Sequence, residues 1–152
     1  YDETILYHSD FSMEEFVEKL CEWGHKGNNP QIVFKGHPVN LKAMDNIREI
    51  IKKYPNPKVV YKNALNIHDV IKKCKAVWTI NSGTGMETML HEKPVVCFGK
   101  SEYKNAVISG DLNDLDKAWK DCQSIDHNEM VETYKKWFHW YSKNTIDISV
   151  TG

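Results

Sequence analysis

Hydrophobic and polar positions along the first hundred residues form two alternating kinds of segment. Short apolar or β-favouring runs predict strands at residues 3–8, 31–35, 58–61, 76–80 and 94–98. Between them, apolar residues recur at helical spacing after residue 11 and over residues 41–54, 66–74 and 85–91. Because strands that are largely apolar must be covered on both faces, this order predicts an α/β fold, a doubly wound, Rossmann-like domain with a parallel sheet.

The last third of the chain has a different pattern. It predicts two consecutive helices, at residues 112–121 and 128–144, followed by a short tail with the sequence IDISV. Trp137, Phe138, Trp140 and Tyr141, with Tyr134, form an aromatic stripe at helical spacing, which favours a core or domain-docking face over a base-stacking platform. We therefore expect one domain over residues 1–152, with an α/β core to about residue 110 and a helical C-terminal extension at about 111–145.

Composition and charge exclude several classes of protein. The 152 residues include 20 basic and 21 acidic groups, so the net charge of −1 argues against a nucleic-acid binder and against an acidic disordered chain. No apolar run approaches the roughly 20 residues that a transmembrane helix needs. The four cysteines include no C-x-x-C pair and the histidines no H-x-x-x-H pair, so no metal is expected. We expect a cytoplasmic protein, whose contact with the inner face of the membrane would require another segment or a partner.

Two polar patches follow predicted strands where an open α/β sheet binds ligands. The crevice of such a sheet lies beyond the carboxyl ends of the strands, where the N-termini of helices favour anions. The first patch, residues 34–38 (FKGHP), follows the second predicted strand and contains Lys35, Gly36 and His37. The second patch, residues 81–87 (NSGTGME), follows the fourth predicted strand and opens a helix.

The second patch has the composition of an anion-binding loop. Ser82 and Thr84 supply hydroxyl donors, while Gly83 and Gly85 lack the Cβ atoms that would hold a phosphate away from the backbone amides. The patch is neither a Walker loop nor a G-x-G-x-x-G turn. A structural interpretation competes with this one: a glycine turn with a helix N-cap, in which Glu87 completes a T-x-x-E capping box.

His37 belongs to the candidate site if the first patch meets the second. Held between Gly36 and Pro38, its imidazole can donate to a phosphate or to a leaving-group oxygen. The competing interpretation is a histidine that is hydrogen-bonded to the backbone. Three or four charge-assisted hydrogen bonds, at about 1.5–3 kcal/mol each, would support micromolar binding of a phosphate.

The two patches together resemble a family of enzymes. F-K-G-H-P, followed about forty residues later by N-S-G-T-G-M-E-T-M-L-H-E-K-P-V-V-C-F-G, resembles the nucleotide-binding C-terminal half of GT-B glycosyltransferases. The resemblance runs over residues 31–103. It is greatest to the capsule polysaccharide synthesis group, which includes Kdo transferases, and extends to bacterial sialyltransferases of the GT-B fold.

This resemblance implies a function and a set of site residues. The chain would be the donor nucleotide-sugar-binding domain of a glycosyltransferase in surface or capsular polysaccharide synthesis, with a CMP-linked sugar such as Kdo or a sialic acid as substrate and no metal cofactor. His37 would be the catalytic group that stabilises the departing phosphate. The residues implied in nucleotide or phosphate binding are Lys35, Gly36, Ser82, Gly83, Thr84 and Glu87, the last of which would meet the ribose or only cap its helix.

The resemblance also implies missing partners. GT-B enzymes have two Rossmann-like domains with the active site between them, and 152 residues accommodate one of them. We expect the chain to be a piece of a longer protein that binds the donor but needs the N-terminal domain to transfer it to a glycan acceptor. Three alternatives stay open: a UDP-GlcNAc epimerase, a CDP-glycerol glycerophosphotransferase half, and a non-catalytic domain that binds a partner through residues 137–141.

Overall fold

Helices and strands alternate along the chain in the computed structural model, which describes residues 13–26, 29–35, 41–54, 59–62, 66–80 and 83–151. The helices are α1 (Met13–Gly24), α2 (Leu41–Lys52), α3 (Ile67–Lys73), α4 (Thr84–Leu90), α5 (Leu115–Ser124) and α6 (His127–Thr151). The strands are β1 (Ile32–Lys35), β2 (Val59–Lys62), β3 (Val77–Thr79), β4 (Val95–Cys97) and β5 (Ile108–Ser109), and a 3₁₀ turn spans Lys104–Ala106.

All strand pairs in the described residues are parallel. β1 pairs with β2 from Ile32 opposite Val59 to Lys35 opposite Lys62. β4 lies between β3 and β5 in a three-stranded sheet, with Val96 opposite Trp78 on one side and Ile108 on the other. The parallel α/β class predicted from the sequence is therefore confirmed, and the architecture is compatible with a Rossmann-like domain.

Residues around β4 show that helices cover both faces of the three-stranded sheet. Val95 and Cys97 pack in a cluster with Met89 of α4 and with Met130, Tyr134 and Trp137 of α6. Val96 and Phe98, which point the opposite way, pack in a second cluster with Phe16, Leu20 and Trp23 of α1 and with Leu115, Ala118 and Cys122 of α5. Because successive side chains of a strand alternate between faces, a strand this apolar needs both layers.

Helix α1 contributes to two hydrophobic clusters. Phe16, Leu20 and Trp23 face the β4 cluster, whereas Val17 and Cys21 face Ile47 and Ile51 of α2. These positions lie on adjacent stripes of a 3.6-residue helix, so the helix is apolar over more than one face. It lies between α2 and the three-stranded sheet.

The C-terminal extension differs from its predicted boundaries. Helix α5 begins at Leu115, three residues later than predicted, because the side chain of Asp114 accepts a hydrogen bond from the Lys117 amide and caps the helix there. Asp111 accepts a hydrogen bond from the Asn113 amide at 2.9 Å and so forms a local turn ahead of the helix. Helix α6 continues through the predicted IDISV tail to Thr151, since that segment contains no glycine or proline to end it.

The two-residue strand β5 was not predicted, and the strand predicted at residues 3–8 lies outside the described residues. Among the described residues, none of the helices combines the length and the hydrophobicity that crossing a lipid bilayer requires.

Candidate functional site

The second patch lies at the carboxyl end of β3, as predicted. Thr79 ends the strand, Ile80 follows it, and α4 begins at Thr84 with Gly83 as its N-cap residue. Ser82 is outside the described residues. Gly36 and His37 are also outside them, and Lys35 ends β1 with a side chain that is not described. The convergence of His37 on the second patch therefore stays a prediction.

Ile80 anchors the strand side of this patch. Its side chain is buried, and its carbonyl accepts hydrogen bonds from the Gly99 amide at 2.8 Å and from the Cys97 thiol at 3.0 Å. The Phe98 amide donates to the Thr79 carbonyl at 2.8 Å. The chain therefore enters the predicted phosphate-binding segment from a fixed position.

Gly83 lies on the open side of the patch. Its backbone is right-handed helical, with φ −56° and ψ −19°, a conformation that any residue adopts. A Cβ built on Gly83 would have no described atom within 4 Å, and the residue is exposed. Neither the backbone conformation of Gly83 nor its packing against the described residues thus requires glycine.

The prediction of a T-x-x-E capping box is wrong. Thr84 is the first residue of α4 and not its N-cap, and Gly83, which is the N-cap, makes no side-chain hydrogen bond. The Thr84 carbonyl accepts a 2.7 Å hydrogen bond from the Thr88 hydroxyl one turn later. Glu87 is half-buried on the same short helix, and its predicted contact with a nucleotide stays a prediction.

Gly85 has a different role from the one predicted. It is buried, and a Cβ at this position would overlap the phenol ring of Tyr103. The missing Cβ therefore makes space for Tyr103 and not for a phosphate. Burial raises the pKa of the Tyr103 phenol, and hydrogen bonds with Ser101 and Thr79 offset part of that effect.

Sequence reasoning missed this contribution of the 101–103 segment. Tyr103 is only 3% exposed, and its ring meets Trp137 edge-on, with the two centroids 6.3 Å apart. The Ser101 hydroxyl lies 3.4 Å from the Cys97 thiol, so a small polar cluster lies beneath the carboxyl ends of β3 and β4. Only an aromatic residue a few positions after a strand could have pointed to it, and that signal is weak.

The aromatic stripe of α6 belongs mainly to the core. Tyr134 and Trp137 are buried, the Tyr134 hydroxyl donates to the Lys93 carbonyl at 2.9 Å, and the Trp137 indole donates to the Glu102 carbonyl at 3.1 Å. Trp140 is 53% exposed. The core interpretation of the stripe is thus confirmed for the two aromatic residues that face the sheet.

Two histidines that the sequence separates meet in the structure. His68 of α3 and His91, the C-cap of α4, bring ring nitrogens to 2.9 Å from each other. In the part of the chain that is described, no three histidine, cysteine or acidic side chains form a group that could hold a metal ion.

Comparison with known proteins gives the family. The model of the capsule polysaccharide biosynthesis protein family matches residues 1–139. The chain is 26% identical over 156 aligned residues to the capsule polysaccharide modification protein LipB of Neisseria meningitidis serogroup A, and equally to that of serogroup B. These alignments cover 97% of this chain but 35% of each relative, so the chain spans about a third of their length. No solved structure matches. The chain belongs to the capsule polysaccharide biosynthesis protein family.

Proposed function

We propose that this chain is the donor nucleotide-sugar-binding part of a glycosyltransferase that acts in capsule polysaccharide biosynthesis, with a CMP-linked sugar as donor. The observation that carries the proposal is the family match over residues 1–139. It covers both polar patches on which the GT-B resemblance depends. The parallel α/β architecture supports the proposal, because ligands of such sheets bind beyond the carboxyl ends of the strands.

The proposed chemistry is electrostatic. Breaking the bond between a sugar and a nucleotide leaves negative charge on the departing phosphate. His37, assisted by Lys35, would stabilise that charge as a hydrogen-bond donor, and the hydroxyls of Ser82 and Thr84 would orient the phosphate. Such groups are effective because they are fixed before the reaction begins.

Two described features support the second patch as the phosphate-binding segment. Ile80 is buried and held by backbone hydrogen bonds, so the segment starts from a fixed point. Gly83 is exposed, and no described atom lies within 4 Å of the position that a Cβ would take there. A phosphate could approach the backbone there without displacing any described atom.

In this proposal, the other steps of the reaction require the rest of a longer protein. The chain corresponds to 35% of the length of LipB. A second domain would bind the glycan acceptor and supply the general base that deprotonates its hydroxyl. The experiment on this chain is therefore a binding measurement and not a turnover assay.

Calorimetric titration of CMP, CDP and UDP into the chain tests the proposal. We expect CMP to bind most tightly, and we expect His37→Ala and Ser82→Ala each to weaken CMP binding by about tenfold or more, since each removes a donor to a charged group. His139→Ala, an exposed change on α6, is the matched control and should bind like the wild type. Equal affinity of the wild type and His37→Ala would contradict the proposal. A preference for UDP or CDP would contradict the CMP assignment.

A further inference from the structure

A pair of histidine rings joins α3 to the end of α4. Nδ1 of His68 and Nε2 of His91 are 2.9 Å apart, and the ring centroids are 5.2 Å apart with an angle of 51° between the planes. His68 is exposed and His91 is half-buried. Solvent and small ions therefore reach both rings.

The hydrogen bond between the two rings places a nitrogen lone pair between them. A neutral imidazole has one N–H group and one nitrogen lone pair, so a hydrogen bond between two such rings uses the N–H of one and the lone pair of the other. If the shared proton leaves and the donor ring takes its other tautomer, both lone pairs face the same point. Two neutral imidazole nitrogens directed at one point are a common ligand set for a transition-metal cation.

Backbone contacts hold both histidines in place. The His68 amide donates to the side chain of Asn66 at 2.9 Å. The His91 amide donates to the carbonyls of Glu87 and Thr88 at 3.3 and 3.1 Å. His68 thus lies at the capped N-terminal end of α3, and His91 lies at the C-terminal end of α4, where its amide is hydrogen-bonded to carbonyls of the last turn.

A second contact fixes the distance between the two helices. The ammonium group of Lys93, two residues beyond His91, donates to the carbonyls of Lys72 and Cys74 at 3.2 and 2.8 Å. These carbonyls lie at the end of α3. The spacing of the histidines therefore does not depend on their own hydrogen bond, and a preorganised site loses less entropy when it binds an ion.

We propose that His68 and His91 bind a divalent transition-metal cation of the Zn²⁺ class and so link α3 to α4. Zinc–nitrogen bonds of about 2.0–2.1 Å with tetrahedral angles place two nitrogen ligands about 3.3 Å apart. The observed distance of 2.9 Å between the two nitrogens is shorter by about 0.4 Å. Small rotations of the two accessible rings make up this difference. Water fills the remaining positions, because the described residues provide no third histidine, cysteine or carboxylate in the group.

The proposal predicts selectivity among cations and a dependence on pH. Imidazole nitrogen favours Cu²⁺, Ni²⁺ and Zn²⁺, with Cu²⁺ the tightest, over Mg²⁺ and Ca²⁺, which prefer oxygen ligands. Binding requires both rings to be neutral, so affinity falls as the solution is acidified. The proposal is independent of the nucleotide-binding function.

The experiment titrates ZnCl₂ into the chain without a histidine tag and measures heat and the thermal unfolding midpoint. We expect one zinc equivalent to raise the midpoint, because the ion binds the folded state. His68→Ala and His91→Ala should each weaken that site by about tenfold or more, since either change removes the second ligand of a chelate. His139→Ala is the control. MgCl₂ at the same concentration should have no effect.

A spectroscopic measurement makes the result independent of stability. The Cu²⁺-loaded wild type should show hyperfine coupling to two imidazole nitrogens, and this signal should disappear in His68→Gln and His91→Gln, which keep a polar side chain. Absence of zinc binding by the wild type would overturn the proposal. Zinc affinity retained by either single alanine variant, or by the double variant, would overturn it as well.

Discussion

The phenol ring of Tyr103 occupies the space that a side chain on Gly85 would need. Gly85 lies in the first turn of α4, within the second patch, so this contact joins Tyr103 to the start of that helix. The fit couples the 101–103 segment to α4. It also separates the roles of two neighbouring glycines that look equivalent in the sequence.

Gly85→Ala is expected to lower the free energy of unfolding by about 1–3 kcal/mol, the usual cost of overpacking a well-packed core. Gly83→Ala is the matched control, because a Cβ there meets no described atom, and its effect should be below about 1 kcal/mol. Urea unfolding measures both. Tyr103→Leu combined with Gly85→Ala should destabilise less than the sum of the single changes. Equal effects of the two glycine substitutions would contradict this prediction.

Lys93→Met is expected to lower the free energy of unfolding by about 1–3 kcal/mol. The change removes two charge-assisted hydrogen bonds to the carbonyls of Lys72 and Cys74 while it keeps most of the aliphatic stem. Lys100→Met, at an exposed position, serves as the control and should change stability by less than about 0.5 kcal/mol. Chemical denaturation followed by circular dichroism measures the difference. Similar values for the two variants would show that the Lys93 contacts add no stability.

Asp116→Ala is expected to destabilise the chain more than Asp116→Asn. The buried indole of Trp23 donates to the Asp116 carboxylate at 2.8 Å, which ties α1 to α5 across 93 residues of sequence. Alanine leaves that donor without its partner, at a cost of about 1–3 kcal/mol, whereas the asparagine carbonyl can still accept the bond. Thermal unfolding of the two variants tests this order. An asparagine variant as unstable as the alanine variant would contradict the hydrogen-bond explanation.

Stability should fall as the pH rises above 9, in part because of Cys21. Burial, with the nearby carboxylates of Glu18 and Glu22, raises the pKa of this thiol from 9.0 to about 12. Between these values the unfolded chain has lost the thiol proton and the folded chain has kept it, so the free energy of unfolding decreases with increasing pH. The contribution of one such group is at most about 1.4 kcal/mol per pH unit.

Cys21→Ala removes that contribution and provides its own control at neutral pH. The difference between the wild type and the variant at pH 7 reports packing alone, because the thiol is protonated in both states there. Urea unfolding at pH 7, 9 and 10 should show a smaller loss of stability in the variant between pH 9 and 10. A loss of the same size in both proteins would contradict the assignment to Cys21.

Much of the fold could be predicted because its signals are local. The apolar runs that became β1 to β4 and the periodic segments that became α1 to α4 lie within a few residues of their predicted bounds. β5 was missed because two residues are too few to show a pattern. The predicted C-terminal end of α6 was wrong. The IDISV segment is rich in β-branched residues, which have lower helix propensity, but propensity is a weak signal and the segment contains no glycine or proline to end the helix.

The candidate site was less accessible to sequence reasoning, because its contacts join distant positions. The sequence contains no signal that pairs Gly85 with Tyr103, or His68 with His91 across 23 residues. Each pair is brought together only by the fold. The location of Gly83 between β3 and α4 followed from the order of the predicted strand and helix. The role of His37 as the catalytic group, and the single-domain organisation of residues 1–152, stay predictions.

Helix α1 has a consequence for how the chain unfolds. One of its sides is buried against α2, and the adjacent side is buried against β4 and α5, so neither neighbour can separate without exposing apolar side chains of α1 to water. Loss of either contact weakens the other. The segment around β1 and β2 and the segment around β3 to β5 should therefore melt in one cooperative transition, and a fragment cut between β2 and β3 should leave both pieces without a stable partner.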